Sequence, residues 1–149
     1  MWGSFLRVAA LVPVAILLLT SAPAWSQDRP YKEGSIWTVT FVKTKNGLGD
    51  DYLREIIPAR KKLMDEAQKQ GLIVSYKILS GISSNREDWD IMFLDEYKNW
   101  AAFDGLTAKF DAVAKKVIGD EAAQTQAMVK RVEVRELIGD KVMQELIPK

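Results

Sequence analysis

Two segments near the middle of the chain are apolar on both sides, and that limits the fold more than any other feature. In SIWTVTFVK, residues 35–43, Trp37, Val39 and Phe41 alternate with Ile36, Thr38, Thr40 and Val42. In DWDIMFLDEY, residues 88–97, Trp89, Ile91 and Phe93 alternate with Met92 and Leu94. Successive side chains of a strand point to opposite faces, so a half-solvated strand reads apolar and polar by turns. Neither segment does, and both are expected at the centre of a sheet covered on its two faces. The other β-rich segments are more polar. LIVSYKILS, 72–80, places Lys77 among Ile73, Ser75 and Leu79, and VKRVEVREL, 129–137, sets Val132 and Val134 against Arg131, Glu133 and Arg135. These read as edge strands.

Helical spacing fills the intervals. Leu53, Ile56, Ile57, Leu63, Met64 and Ala67 recur at threes and fours, with Asp50 or Asp51 as the cap and Gly71 as the stop. Pro58 inside this pattern is expected to kink the helix or to begin a second segment. Trp100, Phe103, Leu106, Phe110, Val113 and Val117 form a second stripe that Gly105 can break, and Asp120 opens a further short helix through Met128. Lys98, Lys115 and Lys116 read as solvated charges. The order β-α-β-β-α(α)-β predicts an α+β fold of the ferredoxin-like, split βαβ type. Its four-stranded antiparallel sheet, in the order 4-1-3-2, carries helices on one face. One helical layer covers one face only. The second face is expected to meet the same sheet of another copy, giving a homodimer. The alternative is that the apolar tail, residues 140–149 with Val142, Leu146 and Ile147, folds back over it.

The N-terminus predicts export. Arg7, the apolar run VAALVPVAILLL and the small-residue exit APAWS have the order of a cleavable signal peptide over residues 1–26, cut after Ala24 or Ser26. The run is short for a membrane span, which takes roughly 20 residues, so no stable membrane anchor is expected. Residues 27–34 then read as a polar leader, 35–139 as the domain and 140–149 as a docking tail. The expected destination is the periplasm or the exterior.

The chain has no Cys and no His. Disulfide staples are absent from the outset, as is the commonest general base and transition-metal ligand. No metal and no cofactor are expected. With 21 basic and 20 acidic residues, the charge is too evenly mixed for a nucleic-acid footprint.

A few residues could still carry chemistry. Asp90, between Trp89 and Ile91, is a candidate base if buried; otherwise it caps a turn or pairs with Lys77 or an Arg. Arg131 and Arg135 could hold a carboxylate or phenolate in their planar forks; otherwise they form a charge ladder through Glu133. Tyr76, Trp89, Trp100 and Phe103 could line an aromatic pocket; otherwise they are core.

SIWTVTFVKTKNG, GLIVSYKIL, DWDIMFLDEYKNWAAFD and MVKRVEVRELIGDKV together resemble the dimeric α/β-barrel superfamily, with its antibiotic-biosynthesis monooxygenase-like, stress-responsive and NIPSNAP-like domains. The resemblance runs from about Ser35 to Val142 and is nearest to exported members without an assigned activity. It implies a dimeric α/β barrel with a small ligand between sheet and helices. Its haem-binding members rely on a His that this chain lacks, and no catalytic residue carries over. The expectation is therefore an exported homodimer that binds a small apolar or aromatic ligand. A cofactor-independent monooxygenase-like or isomerase-like enzyme and a structural or partner-binding module are the alternatives.

Overall fold

A computed structural model of the chain describes residues 28–149; the expected signal peptide lies outside them. Strand β1 (Tyr31–Thr44) leads into helix α1 (Gly49–Lys69), then β2 (Ser75–Ser80) and β3 (Ile91–Tyr97). A 3-10 turn at Trp100–Phe103 precedes α2 (Leu106–Val117), α3 (Glu121–Val134) and β4 (Arg135–Pro148). The strands form one antiparallel sheet in the order β2-β3-β1-β4. This is the α+β, ferredoxin-like arrangement expected from the element order, with the two doubly apolar strands at its centre.

The core lies between the helices and one sheet face, in two clusters. Ile36 and Tyr97, paired across β1 and β3, pack with Met64, Ala67 and Ile73, and Phe103, Leu106 and Phe110 close over them. Val42 and Ile91, the pair at the other end, pack with Tyr52, Ile56 and Phe93. In α1 the buried line is Tyr52, Ile56, Met64 and Ala67, while Ile57 turns outward. No side chain caps α1. Its N-cap is Leu48, and Asp50 and Asp51 sit in the first turn, where they favour the positive end of the helix dipole. Pro58 neither ends the helix nor starts a second one: α1 runs through it, with the ring on the exposed side. Gly105, at φ +64°, divides the 3-10 turn from α2 as its position suggested. Asp120 caps α3 by accepting the Ala123 N–H at 3.0 Å.

The largest departure is at the C-terminal end. Residues 129–134, expected in the last strand, finish α3, and β4 begins only at Arg135. The expected docking tail, 140–149, is mostly strand, and Tyr31–Gly34 of the expected leader belong to β1. Pair length explains all three. β1 meets β4 from Thr44↔Arg135 to Tyr31↔Pro148, a longer ladder than residues 129–137 could supply. Once Asp120 nucleates α3, extending it to Val134 adds one hydrogen bond per residue, and the β-branched content of VKRVEV is overridden. Two bulges adjust the register. Gly34 and Ser35 oppose Glu145 alone, and Ile138 is the extra residue opposite Phe41 and Val42. With the tail in the sheet, it does not fold over the second face.

Candidate functional site

The face away from the helices carries Trp37, Val39 and Phe41 of β1, Met92 and Leu94 of β3, Leu79 of β2 and Met143 of β4 by register. No element among the described residues lies over it. Two lysines shield its aromatic rings in part: the Lys77 ammonium is 5.4 Å from the Trp37 ring centre and Lys141 is 5.8 Å from that of Phe41. Trp89 stacks on Phe41 at 5.2 Å between centroids, which puts it on this face and away from any pocket under the helices.

The expected ligand space between helices and sheet divides in two. At the Tyr97 end it is packed: Phe103 lies 4.7 Å from the Tyr97 ring, and Phe110 joins the same cluster. Trp100 stands at the rim, more than half exposed, with its indole N–H donating to Gln144 at 2.8 Å. Tyr76 donates its hydroxyl to Asp65 at 2.8 Å. Neither residue reaches the arginine pair.

The other end is polar beneath an apolar layer. Arg60 of α1 meets Asp95 of β3 at 2.5 Å, each side chain only 14% exposed. The Arg60 guanidinium lies 4.4 Å from the centre of the Phe93 ring. Burial raises the Asp95 carboxyl above its ordinary value, against the opposing pull of Arg60. Nearby, Arg135 sits 5.9 Å above the buried Tyr52 ring. Burial also raises the Tyr52 phenol, while the charges of Arg135, Arg131 and Arg60 oppose that rise. Three guanidinium groups therefore act on one phenol. The Nε atoms of Arg60, Arg131 and Arg135 are all buried without a hydrogen-bond partner.

The expected strand-face ladder of Arg131, Glu133 and Arg135 does not form. Arg131 is in the last turn of α3 and Arg135 opens β4. Among the described residues neither makes an ion pair. The structure thus brings Arg131 and Arg135 together beside Tyr52 and leaves Tyr76, Trp89 and Trp100 elsewhere. Tyr52 and Arg60 were not singled out from the sequence. The available signal was spacing: Tyr52, Ile56, Arg60 and Met64 follow one another at fours, so a charge interrupts a buried stripe.

Asp90 immediately precedes β3 and acts as a latch. One carboxylate oxygen accepts the Thr44 N–H at 3.0 Å and the other accepts the Thr44 hydroxyl. Its backbone is held as well, by Val42 and Gly81. It pairs with neither Lys77 nor an arginine. Asp90 borders an open polar cleft of about 950 Å³ that also touches Lys43, Lys45, Asn85 and Arg86. A second, more apolar groove of about 710 Å³ runs between α3 and β4. Met128, Val129, Val132 and Leu137 line it together with Lys45, Arg135 and Glu136. Among the described residues there is no cluster of three or more acidic side chains placed to hold a metal ion, and no helix is long and apolar enough to cross a membrane.

No family model and no curated protein matches the chain. Among solved structures, protein SO0527 from Shewanella oneidensis is 18% identical with a TM-score of 0.48, over 78% of this chain and 98% of that one. A dimeric ferredoxin-like protein from an uncultured marine organism is 12% identical with a TM-score of 0.49, over 77% and 96%. A dimeric ferredoxin-like protein of unknown function from Thermobifida fusca is 11% identical with a TM-score of 0.45, over 78% and 94%. The likeness to these proteins is one of chain path at low identity.

Proposed function

We propose that the protein is an exported homodimer that binds a small apolar or aromatic ligand in the groove between α3 and β4. The observation that carries the reading is the groove's wall. Met128, Val129, Val132 and Leu137 are 56–65% exposed, yet they gather around one space of about 710 Å³. That lies within the size range of small-molecule sites, roughly 300–1,000 Å³. Scattered apolar side chains are ordinary on a surface, but a contiguous group beside charged ones marks a contact site. Enzymatic chemistry has less support, because both oxygens of Asp90 are already engaged by Thr44.

Pairing of two copies belongs to the same reading. Its support is the sheet face of Trp37, Phe41, Met92 and Leu94, over which no element among the described residues lies. A second copy offers the identical surface about a two-fold axis. Placement in the dimeric α/β-barrel superfamily, in an antibiotic-biosynthesis monooxygenase-like or NIPSNAP-like branch, follows from that assembly and from the order of elements. Export rests on the N-terminal sequence.

The groove is tested with N-phenyl-1-naphthylamine, a neutral apolar fluorophore. Its emission should rise on mixing with the protein, and Val132→Glu should remove most of the rise while leaving the circular dichroism spectrum unchanged. No enhancement, or enhancement indifferent to Val132→Glu, rejects the groove as the binding site.

A further inference from the structure

The charges that line the α3–β4 groove are out of balance. A half-buried guanidinium is commonly met by a carboxylate, and a buried N–H with no acceptor is costly. Arg60 obeys this rule through Asp95. Arg131 and Arg135, both half-buried, meet no carboxylate, and the Nε of each is buried without a partner, although carboxylates are close in sequence. Glu55 is engaged by Lys130 at 3.2 Å. Glu133 is exposed on the outer side of α3. Glu136 follows Arg135 on β4 and lines the same groove, where its one carboxylate stands against the cations of Lys45 and Arg135 without an ion pair to either. Asp90 is occupied by Thr44. Lys45, which also lines the groove, adds a further cation.

We infer that the groove's ligand is amphipathic, with a planar carboxylate or phenolate oxygen group at one end, and that Arg135, backed by Arg131, receives it. The inference rests on the groove reading above and specifies the ligand's class. Arg135 belongs to both environments: it lines the groove, and its guanidinium lies over the Tyr52 ring. Cation–π contact with that ring holds the fork's plane in place, so the fork is oriented before a ligand arrives. Arg131 is four residues earlier, one helical turn behind. Its positive charge lowers the energy of an anion at Arg135 without the two forks competing for the same oxygens. The apolar wall then takes the ligand's body. A guanidinium fork matches the two oxygens of a carboxylate, whereas a neutral amide of the same shape offers one acceptor and no charge.

The test compares 1-naphthoate with 1-naphthamide by isothermal titration calorimetry on the intact protein. Naphthoate should bind about tenfold or more tightly, with the advantage shrinking as salt is added. In Arg131→Gln/Arg135→Gln the two compounds should bind equally, near the naphthamide level of the parent. The ligand-free double variant should also melt close to the parent, because it loses one cation–π contact and no ion pair. Equal binding of the two compounds to the parent overturns the anion subsite and leaves the groove standing. Failure of both to bind overturns the groove with it. A large fall in melting temperature in the ligand-free double variant shows that the arginines serve the fold, and also refutes the assignment.

Discussion

Replacing Arg60 by Met should destabilise the protein in a strongly pH-dependent way. Arg60 and Asp95 are 2.5 Å apart with each side chain 14% exposed, so solvent screens the pair poorly. Removing the cation leaves a carboxylate between sheet and helix with no counter-charge, a change that costs about 3–5 kcal/mol. In a domain of this size each kcal/mol lowers the melting temperature by about 3–6 °C, so the midpoint should fall by about 10–25 °C at neutral pH. The sign of the pH dependence follows from Asp95. Its carboxyl is already raised by burial, and loss of Arg60 removes the first influence holding it down. The folded state then binds the proton more tightly than the unfolded chain. Stability from this group is therefore full below the unfolded carboxylate value, about 3.9, and is lost as pH rises through the higher folded value. Urea denaturation should show a small deficit near about pH 4 and the full deficit near about pH 7. Arg60→Met/Asp95→Leu, which replaces the pair by apolar groups, should recover most of the loss. A deficit equal at both pH values, or a double variant as weak as the single one, would refute the account.

Three other outcomes follow from the packing. Leu94→Glu puts a carboxylate on the uncovered sheet face without entering the core. Light scattering on the eluting protein should report two copies for the parent and one for the variant, and a variant that stays dimeric places the contact elsewhere. Asp120→Ala removes the α3 cap and should cost about 1 kcal/mol. Fraying of α3 should also weaken N-phenyl-1-naphthylamine binding, and unchanged affinity would separate the groove from the helix that walls it. Ile36→Ala empties a fully buried site and should cost about 2–5 kcal/mol by chemical denaturation; a loss below that range would mean that the Met64–Tyr97 cluster collapses around the gap.

The centre of the fold was legible from alternation alone. Trp37 to Phe41 and Ile91 to Leu94 announced two strands without a solvent side, and sheet order followed from connectivity. The outer parts were less legible because pairing partners overrode local preference. VKRVEV reads as strand, yet its residues end a helix, since β1 has a longer match in residues 135–148. Arg131 and Arg135 were visible as a pair, but as neighbours on a strand they would have pointed outward. Only the shift of β4 turns them toward Tyr52. Tyr52 and Arg60 went unnoticed because Leu53 and Ile57 fit the apolar stripe equally well. Which side of α1 is buried depends on sheet contacts that spacing does not encode.

The long β1–β4 ladder joins the first strand to be synthesised to the last. Tyr31 waits for Pro148, Lys32 for Ile147 and Thr38 for Val142, so a central strand remains open on one flank until residues 135–148 have been made. A chain lacking residues 140–149 would lose the outer half of that ladder while keeping its helices, exposing the backbone of an apolar strand to any neighbour. Such contacts between distant parts of a chain form slowly. Residues 135–148 are what closes the sheet, and their loss is a route to aggregation rather than to a slightly smaller fold.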